Sequence, residues 1–106
     1  MLRTTLAACA LLCGFNAAYA DQSASITKSG HTFSPSTITV KAGEKVALSV
    51  TNAGTEAAEF ESSELNREKV IPPGKTVTIF VGPLAPGSYP FFDDFDSAAT
   101  GTIIAK

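Results

Sequence analysis

The chain is short of several things at once. Its 106 residues include one histidine, His31, one methionine, Met1, two cysteines, Cys9 and Cys13, and no tryptophan. No run reaches the roughly 20 apolar residues that cross a bilayer as a helix, which excludes a helical membrane protein. Basic residues are not in excess: eight Lys and Arg stand against ten Asp and Glu, a formal net charge of −2. An extended nucleic-acid surface needs clustered Lys and Arg, so that class is disfavoured. A Ser-His-Asp nucleophilic set would require His31 as its base. No Gly-x-Ser-x-Gly elbow supports one, and no phosphate-cradling glycine loop is present. With 44% apolar and 17% charged residues the composition is that of an ordinary globular chain, and the length allows one domain.

The amino end reads as an export signal. Arg3 supplies a positive charge, Leu6 to Phe15 is almost wholly apolar, and Ala18-Tyr19-Ala20 forms a small-residue cleavage site before Asp21. The expectation is a signal peptide over 1–20 and a single mature domain over 21–106, released into the periplasm. Leu6-Ala7-Ala8-Cys9 is faintly like a lipoprotein box but would leave an apolar run of only a few residues. Cleavage removes both cysteines and the methionine, so the mature domain has neither a disulfide nor a thiolate ligand. It also removes Arg3, leaving seven bases against ten acids.

Alternation with a period of two dominates what remains. Ile38 and Val40 alternate with threonines; Val46, Leu48 and Val50 alternate with Ala47 and Ser49; Val77, Ile79 and Val81 alternate with Thr78 and Phe80. These patterns predict half-buried strands, and their β-branched content agrees. Ala24–Lys28, Glu59–Glu61, Gly87–Phe92 and Gly101–Ala105 are weaker strand candidates, and Glu64–Lys69 is a candidate for one helical turn. Ser29-Gly30, Ala42-Gly43, Asn52-Ala53-Gly54, Pro72-Pro73-Gly74 and Pro86-Gly87 mark turns between them. About seven short strands spaced in this way predict an all-β antiparallel sandwich.

The acids are unevenly placed. Glu56, Glu59, Glu61, Glu64 and Glu68 fall in one stretch and Asp93, Asp94 and Asp96 in another, so eight of ten carboxylates occupy 17 of the 86 positions from 21 to 106. Crowded carboxylates raise one another's pKa, and a cation relieves the repulsion. Oxygen-rich sites suit hard ions such as calcium, manganese or iron(III), and an imidazole widens the choice to copper and zinc. The same acids also read as two solvated loops that serve solubility. Glu59 and Glu61 share a strand parity that sends Phe60 inward and both carboxylates outward. Among the late aromatics, Tyr89 and Phe91 read as core, whereas Phe92 and Phe95 flank the aspartates. Glu64, Arg67, Glu68 and Lys69 form a mixed-charge patch in which Glu64 and Arg67 have the spacing to pair.

Several segments carry a family resemblance. His31-x-Phe33-x-Pro35, Ile38-x-Val40-x-Ala42-Gly43 and Val50-x-Asn52 resemble the opening of a cupredoxin. Gly82-Pro83-Leu84-x-Pro86-Gly87-x-Tyr89-x-Phe91-Phe92 and Gly101-x-Ile103 resemble its closing strands. Glu59-Phe60-Glu61-Ser62, Glu64-Leu65-x-Arg67-Glu68-Lys69-Val70 and Phe91-Phe92-Asp93-Asp94-Phe95 resemble a cupredoxin-like group of small periplasmic proteins associated with bacterial iron-permease uptake systems. The resemblance implies a cupredoxin-like Greek-key sandwich and a metal-bearing pole near His31. It also places Asp93 where blue-copper proteins carry their cysteine, and Asp96 at the usual histidine place. A type 1 copper centre needs two His, one Cys and a weak axial ligand, commonly Met, which the mature chain does not have.

The expected site is therefore a carboxylate-rich metal site built from His31, Glu59, Glu61, Asp94 and Asp96, with Asp93 and Glu68 as reserve ligands and copper, iron or both as the metal. The implied function is iron uptake: oxidation of Fe(II), or transfer of iron to a membrane permease, alone or with other periplasmic uptake components. A non-catalytic copper or iron delivery module and a metal-free adaptor are the alternatives.

Overall fold

The computed structural model describes residues 20–106; the expected signal peptide over 1–20 lies, except for its last residue, outside the described residues. Nine strands follow in order: β1 (Gln22–Ser29), β2 (Thr32–Ser34), β3 (Thr37–Val40), β4 (Val46–Asn52), β5 (Ala58–Ser62), β6 (Arg67–Ile71), β7 (Thr76–Val81), β8 (Gly87–Asp93) and β9 (Asp96–Ala105). They form a four-stranded sheet ordered β2-β1-β4-β7 and a five-stranded sheet ordered β3-β9-β8-β5-β6. The fold is the all-β sandwich that the alternation predicts. Two strands exceed the expected count, and two pairs, β1 with β4 and β3 with β9, are parallel rather than antiparallel. The candidate helical turn at Glu64–Lys69 is instead a turn leading into β6. Arg67 does not pair with Glu64; its Nε donates to the Phe80 carbonyl at 2.9 Å, on strand β7 of the other sheet.

Each sheet turns one strand parity inward. Ile26, Val46, Leu48, Val50, Ile79 and Val81 supply the four-stranded side, and Phe60, Ile71, Phe91, Ala99 and Ile103 the five-stranded side. Phe91 is the hub. Its ring meets Phe33 edge-on at 5.1 Å and stacks on Phe60 at 5.0 Å, geometries that suit the aromatic quadrupole. It lies over its register partner, Gly101.

At one pole the inward parity continues past the apolar residues. On β1 it runs from Ile26 to Lys28, on β4 from Val50 to Asn52, and on β8 from Phe91 to Asp93, and all three polar residues are buried. Lys28 and Asn52 are register partners in the first sheet. Asn52 Nδ2 donates to the carbonyls of Glu56 and Ile71, and its Oδ1 accepts from Gly54 N–H. Asn52 is thereby satisfied, as a buried amide must be, and it shapes the loop after β4.

Gly101 admits no side chain, because a methyl there would overlap the Phe91 ring and approach the Ser36 carbonyl oxygen at 2.8 Å. Gly101→Ala is expected to cost about 1–3 kcal/mol, the usual range for overpacking a filled core. Urea unfolding of the two proteins measures it, and equal midpoints would contradict this packing.

Candidate functional site

The expected site residues separate into two groups that share a backbone hinge. The first lies on the outward face of the five-stranded sheet. Antiparallel register sets Glu61 of β5 directly opposite Glu68 of β6 and Glu59 opposite Val70. Because the side-chain period is two, these four residues and Phe92, which pairs with Glu61 from β8, face the same way. Asp94 joins them from the β8–β9 hairpin, where its N–H donates to the Glu59 carbonyl at 2.9 Å. Glu59, Glu61 and Asp94 each offer a carboxylate oxygen within 4.8 Å of the others. Oxygens on opposite sides of a calcium-sized cation are about 4.6–5.2 Å apart, so three could bind one ion with little movement. A smaller ion would draw them inward by a few tenths of an ångström. A hollow of about 430 Å³ opens beside Glu61 and Glu68, with Asn66 and Arg67 at its rim.

Like charges set directly across a sheet repel, and the acids of this face record that. Partial desolvation, then the charge of Glu68 and contact with Glu68 and Asp94, push the Glu59 carboxyl up from 4.5 to about 7. Desolvation, Asp94 and Glu68 also raise Glu61. Without a cation the face is strained electrostatically, and Glu59 and Glu61 bind protons more readily than free carboxylates do.

The second group sits at the pole. Lys28 Nζ lies 3.0 Å from Asp93 Oδ2 and 3.3 Å from Asp96 Oδ2. His31, 81% exposed at its side chain, donates from Nδ1 to the same Asp96 oxygen at 2.8 Å. The Asp93 side chain is fully buried and that of Lys28 is 11% exposed. Burial opposes the Lys28 charge, but the two carboxylates outweigh it and hold its pKa above the ordinary lysine value. The hydrogen bond from His31, and then Lys28, hold Asp96 below the usual carboxylate range against the effect of desolvation. The other Asp93 oxygen, Oδ1, accepts from Glu59 N–H at 2.8 Å and Phe95 N–H at 2.9 Å. Asp93 is thus the hinge between the groups. Its side chain belongs to the pole, while its hydrogen bonds fix the backbone carrying Glu59 and Asp94.

Of the five expected ligands, Glu59, Glu61 and Asp94 come together, whereas Asp96 is elsewhere, held by His31 and by Lys28. The reserve residue Glu68 joins the first group and Asp93 the second. Phe95, which flanks the aspartates in the sequence, is 58% exposed and stands beside an open depression of about 450 Å³ at the pole, with Lys28, His31, Asn52 and Asp93 in its lining. Sequence reasoning missed Lys28. Its parity with Ile26 was the available signal, since it places a lysine on an inward face.

Comparison with known proteins fits this architecture. Residues 2–105 match the model of the Cupredoxin-like domain family, and the chain belongs to that family. An uncharacterized Rickettsia prowazekii protein, RP394, is 40% identical over 82 residues, covering 76% of this chain and 66% of the relative. The chain therefore spans a little under two thirds of that relative's length. Among solved structures, the metal-binding domain of the Streptococcus pneumoniae D39 Cu(I)-exporting P-type ATPase CopA, solved with Cu(I), is similar with a TM-score of 0.72. The match has 15% identity and covers 79% of this chain and 84% of that one. Auracyanin from Roseiflexus castenholzii is similar at 0.68, with 14% identity over 83% and 99%. Amicyanin from Paracoccus versutus is similar at 0.63, with 15% identity over 85% and 87%. At such identities the likeness is one of fold.

Copper of the blue type is the metal this fold brings to mind, and the donor set does not fit it. The described residues contain one histidine and neither cysteine nor methionine, and the Lys28 ammonium group lies between the two pole carboxylates.

The raised Glu59 pKa has a direct consequence for stability. A carboxyl with a higher pKa when folded binds its proton more tightly in the folded state, so it supports folding at low pH. That support disappears as pH rises from the unfolded value near 4.5 through about 7. Metal-free protein is expected to lose stability across this window, and Glu59→Gln is expected to flatten the loss; urea titrations at several pH values measure both. The Asp96 contribution is lost only as pH falls below its ordinary 3.8, outside that window. Equal slopes in the two proteins would contradict the crowding at Glu59.

Proposed function

We propose that this protein is an exported metal-binding cupredoxin-like module that carries iron on the outward face of its five-stranded sheet. Its role would be in an uptake system that ends in a membrane permease. The observation that supports this most is the convergence of Glu59, Glu61 and Asp94, with Glu68 directly across the sheet from Glu61. Four carboxylates from three elements of structure meet at a partly exposed surface, where a hydrated ion can enter and leave. Hard anionic oxygens favour Fe(III) over Fe(II), so this ligand set lowers the reduction potential and inclines bound iron toward oxidation. Turnover as an oxidase would also need an electron acceptor, whereas carriage and delivery need only the carboxylates. Export is supported by Arg3, the apolar run after it and Ala18-Tyr19-Ala20. The permease partner is supported by the Glu-Phe-Glu and Arg-Glu-Lys-Val segments, through their resemblance to the iron-associated group.

Titration calorimetry with Mn(II), and with Fe(II) under anaerobic conditions, is expected to give one site per chain. Glu61→Gln and Asp94→Asn are each expected to weaken it by roughly tenfold or more, on the scale of a lost ligand-sphere contact. Saturating metal is expected to raise the melting temperature by mass action. Unchanged affinity in both variants would reject the carboxylate face as the site. Oxygen-dependent Fe(II) loss no faster than in buffer, with iron bound, would assign carriage rather than oxidation.

A further inference from the structure

The second group of charges is not a spare half of the metal site. We propose that Lys28 is the resident cation of the sandwich pole, filling with its ammonium group the place between Asp93 and Asp96 where a metal ion would otherwise be held. This assignment rests on the pole's own geometry and not on the reading of the carboxylate face.

Three observations carry it. Lys28 Nζ is within ion-pair distance of one oxygen from each aspartate, the arrangement a bound cation imposes on two acids. The Asp93 side chain is fully buried, and among the described residues Lys28 is the only group bearing positive charge within ion-pair reach of it. A buried carboxylate without a counter-charge is strongly disfavoured, so the lysine is required as long as Asp93 remains ionised. Finally, the lysine is supplied by the fold itself. It continues the inward parity of β1 beyond Ile26 and reaches across from the four-stranded sheet to an aspartate on the five-stranded one. His31 completes the Asp96 contact from the solvent side. The buried Asp93 therefore has its counter-charge without metal, and metal ions are directed to the sheet face.

The ammonium group can be followed directly. In the folded full-length domain labelled with ¹⁵N-lysine, one Nζ resonance is expected to be protected from solvent exchange and to vanish in Lys28→Arg. Two equivalents of Zn(II), which is diamagnetic, are expected to leave that resonance in place. Its loss or displacement by Zn(II), or the absence of any protected lysine ammonium, would overturn the proposal. Zn(II) titration of Asp96→Asn provides a second arm that spares the buried pair. Affinity within threefold of wild type is expected, and a loss of tenfold or more would overturn the proposal. Glu61→Gln separates this inference from the proposed function. If that variant binds Zn(II) like wild type while the protected ammonium persists, the carboxylate face fails as the metal site and the pole assignment stands.

Discussion

Among the described residues a single buried charge pair spans the sandwich, and the geometry of the candidate site depends on it. Asp93 comes from β8 of one sheet and Lys28 from β1 of the other. Breaking such a pair by removing one partner costs about 3–5 kcal/mol, because the remaining charge stays buried. A pair of well-packed apolar residues could stabilise the pole equally well. What an apolar pair would not provide is the second Asp93 oxygen, which accepts from Glu59 N–H and Phe95 N–H. Through those bonds the pair inside the molecule determines where the carboxylates outside it stand.

The outward face shows the converse electrostatics. Inside, opposite charges are matched; outside, like charges are gathered. Partial desolvation, together with the charges of Glu68 and Asp94, raises the proton affinity of Glu59 and Glu61, and no basic side chain among the described residues lies within ion-pair distance of these acids. Such a face is costly to maintain unless something positive occupies it, and a metal ion can do so where a proton does so only below about pH 7. The cupredoxin-like fold supports both arrangements. The chemistry of this chain follows from the side chains it carries and not from the sandwich.

Much of this was legible in the sequence, unevenly and for identifiable reasons. The strands with strict alternation, β3, β4 and β7, stand out because one face of each is apolar. Strand β6 does not, because Arg67, Glu68, Lys69 and Val70 are all exposed on an edge and only Ile71 is buried; an edge strand has little need of alternation. β2 is three residues long and buries only Phe33. The outward pairing of Glu59 and Glu61 could be read from parity around Phe60. Lys28 and Asp93 could have been read in the same way from Ile26 and Phe91, but a charged residue on an inward face is easily taken for the end of a strand. The contact of His31 with Asp96 joins residues 65 apart. It depends on how the β1–β2 turn sits against the β8–β9 hairpin, which no local pattern records.

The central claim is that the sheet face, and not the pole, is where this protein holds a metal ion. Anomalous diffraction from crystals soaked in Mn(II), recorded on both sides of the manganese absorption edge, tests it most directly. The account predicts one peak within coordination distance of Glu59, Glu61 and Asp94, with Lys28 still seated between Asp93 and Asp96. A peak at the pole, with the Lys28 ammonium displaced, would contradict it.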